Sequence, residues 1–248
     1  MTLADPVVGK TSSSTEFETT HWSVVLQAGG NSTTTANAAL DQLCHAYWLP
    51  LYAYARRRGN GPEDAQDLTQ GFLAELIARR DLARVDRAKG TFRSFLLASF
   101  KHFLAKDWRE RQALKRGGGR HLVSLDVVQA EKFLGAMPAA DLPPDRLYDQ
   151  RWAMAVMEQA LERLRQEWVA ADKEAMFVEL RVFLTSTASQ AGYEAVAARL
   201  NLKPPSVATT VHRLRKRYRE LVRATLAQTV TGPLELEEEM RYLLEVLT

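Results

Sequence analysis

An all-α fold is expected of this chain, and three features of its 248 residues predict it. Apolar residues recur at intervals of three and four along most of its length, no stretch alternates like a strand, and one segment near the end reads as helix, tight turn, helix. The expected organisation is two helical domains joined by a flexible linker, the second containing the helix-turn-helix. A mobile leader spans 1–35, the first domain 36–116, the linker 117–148, the second domain 149–230 and an acidic tail 231–248.

The leader is rich in Ser and Thr and poor in apolar groups; only His21 to Leu26 forms an apolar patch, before the polar stretch Gly29 to Thr35. From Ala36 a helix carries Leu40, Leu43, Cys44 and Tyr47 on one side. Pro50 is expected to break or kink it, with a second helix running through Leu51 and Tyr54 to a turn over Gly59 to Pro62. The next helix, from Glu63 to Ile77, has an apolar stripe of Leu68, Phe72, Leu73, Leu76 and Ile77, and acids in its first turn that complement the helix dipole. After a loop over Asp81 to Gly90, Thr91 caps a long basic helix running to about Leu114. Its inner face is Phe92, Phe95, Leu96, Ser99, Phe100 and Phe103, and Arg93, Lys101, Lys106, Arg109 and Arg111 are expected to project outward. Trp108 lies among these cations, where two readings stay open: a core residue, or an exposed ring on which unpaired bases stack.

Arg116 to Gly119 ends that helix, and the proline-bearing stretch to Tyr148 is the linker, mildly acidic between two basic segments. Helices follow with Trp152, Val156, Leu161, Leu164 and Trp168, and with Met176, Phe177, Leu180, Phe183 and Leu184. A polar loop, Thr185 to Ala191, leads to the helix-turn-helix. Val196, Ala197 and Leu200 form the apolar face of its first helix, Asn201 to Lys203 the turn, and Pro204 and Pro205 open the second helix, where no backbone donor is needed. Val207, Val211, Leu214, Tyr218 and Leu221 face inward, so Ser206, Thr209, Thr210, Arg213 and Arg217 face solvent. Small hydroxyl residues at a helix start permit close approach to a DNA groove, and arginines further along reach phosphates or guanine edges. Thr231 to Pro233 is a break before the amphipathic tail, in which five acids face Arg241.

An apolar content of 46% suffices for a sizeable core. No apolar run reaches the roughly eighteen residues of a membrane span and no signal peptide is visible, so a cytoplasmic location without membrane association is expected. A single cysteine, Cys44, and five histidines without metal-ligand spacing imply neither disulfide, metal nor cofactor. The net charge of +3 averages two strongly basic blocks. Arg79 to Arg120 holds thirteen Lys and Arg against four acids, and Arg199 to Arg223 holds eight against Glu220 alone, a pattern that suggests two nucleic-acid contacts.

Asp64-Ala-Gln-Asp-Leu-Thr-Gln-Gly-Phe-Leu73 resembles the core-binding helix of bacterial RNA polymerase sigma factors of the extracytoplasmic-function group. Phe92-Arg-Ser-Phe-Leu to Asp107-Trp-Arg resembles their promoter-melting helix, and Gly192 to Leu221 their C-terminal helix-turn-helix. The resemblance implies that Asp64, Asp67, Leu68, Gln70 and Phe72 dock on core RNA polymerase. It implies that Arg93, Lys101, His102, Lys106, Trp108 and Arg109 capture the unpaired minus-ten strand of promoter DNA. Lys203, Ser206, Thr209, Thr210, Arg213 and Arg217 would read the minus-thirty-five duplex, and the linker would occupy the RNA exit path.

The sequence departs from the family pattern where Gln66 and Gly71 replace acids and His102 stands in place of an asparagine. The missing acids make Thr69 a candidate regulatory phosphorylation site for a protein kinase, and an anti-sigma factor is a second candidate partner. The tail is a candidate autoinhibitor that folds over a basic surface. Competing readings are a one-component repressor, which normally needs dimeric half-sites and a sensor, and a metal-dependent nuclease using Glu63, Asp64, Asp67 and Glu75. The last four lie along one predicted helix instead of converging from several elements, and no enzymatic activity is expected.

Overall fold

The computed structural model describes residues 34–79, 91–113, 130–131, 142–185, 190–230 and 232–248. The expected leader over residues 1–33, the loop Asp81 to Gly90, the glycine run at 117–119 and most of the linker lie outside the described residues, as does the side chain of Cys44. The described elements are α1 (Thr34–Arg57), α2 (Pro62–Arg79), α3 (Phe92–Ala113), α4 (Pro144–Ala170), α5 (Glu174–Leu180), a 3₁₀ turn (Arg181–Leu184), α6 (Gln190–Leu200), α7 (Pro204–Ala227) and α8 (Pro233–Leu247). No strand occurs among the described residues, in agreement with the all-α expectation.

Helix α1 is the first difference from the sequence reading. Pro50 lies inside one continuous helix instead of separating two. Its missing donor costs one backbone hydrogen bond, and burial of the surrounding turns offsets that loss: Tyr47, Trp48, Leu51, Tyr52, Ala53, Tyr54 and Ala55 are all buried. An almost wholly apolar turn of helix needs partners on several sides. Helix α2 covers one side and α4 another, and α1 and α4 form the most extensive helix pair in the fold. Tyr47 joins them through its hydroxyl, which accepts from Trp152 Nε1 at 3.2 Å. Burial pushes that hydroxyl well above its ordinary pKa.

Helices α2 and α3 meet α1 through aromatic packing. The Phe72 and Phe100 rings lie 5.0 Å apart, Phe92 stands edge-on to Tyr47 at 5.1 Å, and Phe103 lies 5.7 Å from Phe72. Thr91 caps α3 as expected, its Oγ1 accepting from the Ser94 N–H at 3.4 Å. The buried set continues without interruption into α4, α7 and α8, through Trp152, Val156, Leu164, Val211, Leu226, Leu236 and Leu243. The second half of the chain therefore rests on the first through α4.

Three helix ends close with one device. At α1, α4 and α6 the chain turns through a left-handed residue: Gly59 at φ 93°, Asp172 at φ 57° and Asn201 at φ 52°. After α6 the Leu202 N–H reaches the Ala197 carbonyl at 2.9 Å and the Asn201 N–H the Ala198 carbonyl at 3.4 Å, the two bonds of a Schellman turn. This turn sets the angle between α6 and α7. Asn201→Ala should cost about 1 kcal/mol, because a side chain with no local hydrogen bond is strained in the left-handed region. A lower urea midpoint for that variant, and no loss for Asn201→Gly, is the expected result.

Candidate nucleic-acid interface

The resemblance implies strand capture by six residues of α3, Arg93 first among them. The structure divides them among three environments. Lys101, Trp108 and Arg109 line a groove of about 760 Å³ between α3, the end of α1 and the start of α4. Tyr54 of α1, Arg58 just beyond its end, Leu68 of α2 and the acids Asp107 and Asp145 also line it. Trp108 is 62% exposed, which decides between its two readings against the core. The groove thus offers an aromatic plane beside three cations and two acids, a net positive lining of the kind that holds a base by its face and a backbone by its charge. Lys101 lies 5.8 Å from the Tyr54 ring and pairs with Asp145 at the start of α4.

His102 and Lys106 face a separate, smaller cleft next to Phe72 and Glu75 of α2, with Lys106 Nζ 3.9 Å from Glu75. Arg93 does not project outward. Its side chain is 11% exposed and lies between Asp149 of α4 and Glu239 of α8. The outward expectation for Arg93 is corrected by a tertiary contact that helical spacing cannot contain. Tyr54 and Arg58 were missed by the sequence reading; the basic run Arg56 to Arg58 at a helix end, with tyrosines one turn earlier, was the available signal.

On α2 the acids Glu63, Asp64 and Asp67 are exposed and Gln70 is half-buried, while Leu68 and Phe72 are buried against the chain's own core. Leu68 and Phe72 therefore orient the acidic face and do not form its surface. Thr69 is fully buried, and its hydroxyl donates to the Ala65 carbonyl at 2.7 Å. In this conformation a kinase has no access to Thr69, which corrects the expectation of an accessible modification site. Gly71 is exposed, and a Cβ there would stand 3.5 Å from Phe103 Cζ, in ordinary contact.

Helix α7 carries the face expected from the sequence. Val207, Val211 and Leu214 are buried, while Lys203, Ser206, Thr209, Arg213 and Arg217 are exposed and Thr210 is half-buried. The two threonine hydroxyls bond back to the carbonyls of Pro205 and Ser206 at 3.0 and 2.8 Å. The cations of the run separate by role. Arg215 Nε donates to the Phe183 carbonyl at 2.8 Å and so ties α7 to the 3₁₀ turn. Arg217 pairs with Glu167 of α4 at 2.6 Å and with Glu220 at 3.1 Å, and these carboxylates hold its guanidinium above its ordinary pKa. Arg213 and Lys216, one turn apart and exposed, make no ion pair among the described residues. Lys216 is a further surface cation that the sequence reading did not single out.

The linker's described end also returns to the first half of the chain. Glu131 accepts from Arg56 Nε and Nη2 at 2.7 and 3.0 Å and from the Tyr52 hydroxyl at 2.5 Å. The Arg56 hydrogen bonds hold the Glu131 carboxyl below its ordinary value. Among the described residues no three His, Cys, Asp or Glu side chains are grouped to hold a metal, and no helix is long and apolar enough to cross a membrane.

An all-helical chain with an aromatic-cationic groove on one helix and a basic, hydroxyl-rich face opening another belongs among the helical DNA-binding proteins. The family model described as ECF sigma factor matches residues 31–230, most of the chain, and the protein belongs to that family. Its role is that of a sigma factor in transcription initiation, a class that works with core RNA polymerase and promoter DNA. Comparison with curated proteins and with solved structures finds no match.

The Glu131 contact carries a pH dependence with a defined sign. A carboxyl whose pKa is lower in the folded chain stabilises it above the unfolded value near 4.5, and the contribution is lost as pH falls through the lowered folded value. Wild type should therefore exceed Glu131→Gln in urea midpoint at neutral pH. The gap should close on acidification below pH 4.5, and a gap independent of pH would contradict the ionic origin.

Proposed function

We propose that this sigma factor grips its promoter at two points. The groove of Lys101, Trp108 and Arg109, extended by Tyr54 and Arg58, takes the unpaired minus-ten strand. The opening of α7, through Lys203, Ser206, Thr209, Thr210, Arg213 and Arg217, reads the minus-thirty-five duplex. The observation that carries the reading is Trp108, 62% exposed, in one groove with Arg58, Lys101 and Arg109, the pairing of ring and cations that single-strand binding uses. His102 and Lys106, on the adjoining cleft, extend the strand path along α3. Asp64, Asp67 and Gln70 form the docking face for core polymerase, backed by Leu68 and Phe72.

Ion pairing on α7 does not oppose this reading. Arg217 and Glu167 are 49% and 41% exposed, and pairs this open are worth about 0–1 kcal/mol, so a phosphate readily replaces the carboxylate. A repressor would need only the duplex-reading helix, and nothing in that function uses a stacking groove on α3.

Transcription reconstituted with core polymerase on promoter DNA tests the proposal. Trp108→Ala should weaken open-complex formation by about 1–3 kcal/mol, the value of one base–aromatic stack, with little change in urea midpoint because the ring is exposed. Arg213→Ala should weaken binding to the minus-thirty-five duplex by about 1–3 kcal/mol and relax preference at a single base position. Unchanged promoter preference in Arg213→Ala would remove that residue from the readers.

A further inference from the structure

Arg93 sits on the same helix as the groove cations, yet it is withdrawn from solvent by acids from two later elements. Its Nη1 donates to Asp149 Oδ1 of α4 at 2.5 Å, and its Nη2 and Nε reach Glu239 Oε1 and Oε2 of α8 at 3.2 and 3.4 Å. The guanidinium lies over the Trp152 ring at 4.7 Å and the Tyr242 ring at 4.2 Å, while the Tyr242 hydroxyl donates to Asp149 Oδ2 at 2.7 Å. The Arg93, Asp149 and Glu239 side chains are only 11%, 11% and 4% exposed. Burial lowers the Arg93 pKa, but Glu239 and Asp149 outweigh it and hold the guanidinium above its ordinary value.

Two carboxylates converge on this one guanidinium, one more than a simple ion pair needs, with the exposed Arg146 as a further cation acting on Tyr242. A forked pair of acidic oxygens on an arginine is the arrangement a phosphate group offers. Glu239 is delivered by the last helix, 146 residues further along the chain, and its neighbours Glu237 and Glu238 face solvent.

We propose that α8 is an intramolecular latch. Glu239, together with Asp149, occupies the place on Arg93 that a backbone phosphate of the unpaired promoter strand takes in the open state, so the contact of α8 with Arg93 must open before Arg93 joins the groove. Lys101, by contrast, pairs with Asp145 at near half exposure, so the groove itself stays open to a strand while Arg93 is withheld. The inference rests on the strand-binding reading of α3.

The test uses the full chain, a fluorescein-labelled single strand of mixed sequence as probe, and two variants of equal charge. Glu239→Gln removes the latch carboxylate, and Glu238→Gln removes an exposed acid one residue away. Glu239→Gln should bind the strand roughly tenfold more tightly than Glu238→Gln, the scale of one charged hydrogen bond, and Asp149→Asn should show the same gain. Spin labels at Ala98→Cys on α3 and Leu244→Cys on α8, in a Cys44→Ser background, should move apart when the wild-type latch is saturated with strand. Equal affinities for Glu239→Gln and Glu238→Gln, or a label distance unchanged at saturation, overturn the latch while leaving the strand-binding reading in place. Absence of strand binding by every variant overturns both.

Discussion

The structure turns on the compensation of one buried charge. Arg93 lies where α3, α4 and α8 meet, and a guanidinium there must be matched by carboxylates and hydrogen bonds. Asp149 and Glu239 supply the carboxylates from two different helices. Trp152 and Tyr242 contribute ring faces to the same cation, and Tyr148 donates its hydroxyl to the Arg93 carbonyl at 3.1 Å. The second half of the chain is thereby set against the first at a defined point on the basic helix.

Among the described residues, exposed and sheltered ion pairs have different consequences. Pairs such as Arg217 with Glu167, or Arg165 with Glu162, are near half exposure, are screened by salt and exchange easily for phosphate. The Arg93 cluster is sheltered from solvent, so opening it exposes aromatic surface and separates charges together. A DNA-binding surface built from the first kind stays ready in the free protein. A surface that contains the second kind is available only after a change of conformation.

Much of the helical arrangement was legible because apolar spacing reports burial directly. Phe92, Leu96 and Phe100 on α3, and Val207, Val211 and Leu214 on α7, are buried as their spacing implies. Local chemistry was equally visible: Thr91 as a cap and Asn201 to Lys203 as a turn depend on side-chain types within a few residues, though the left-handed φ of Asn201 did not show. The helix does not break at Pro50, because the effect of a proline depends on the packing around it, which a local rule does not include. Thr69 sits on a polar-looking stretch but turns toward the core, bonding its hydroxyl within its own helix.

By itself the sequence determined the helical class, the inward faces, the caps and the two basic blocks, since each follows from residues near one another in the chain. It also carried enough motif to indicate a sigma factor before any coordinates, an indication the family match bears out. Tertiary structure alone decided which basic side chains meet solvent. Arg93, Arg215 and Arg217 look alike in sequence, yet one is enclosed by Asp149 and Glu239, one anchors a turn and one rests in an exposed pair. Charge is a property of the residue, whereas its availability depends on partners brought in from distant parts of the chain.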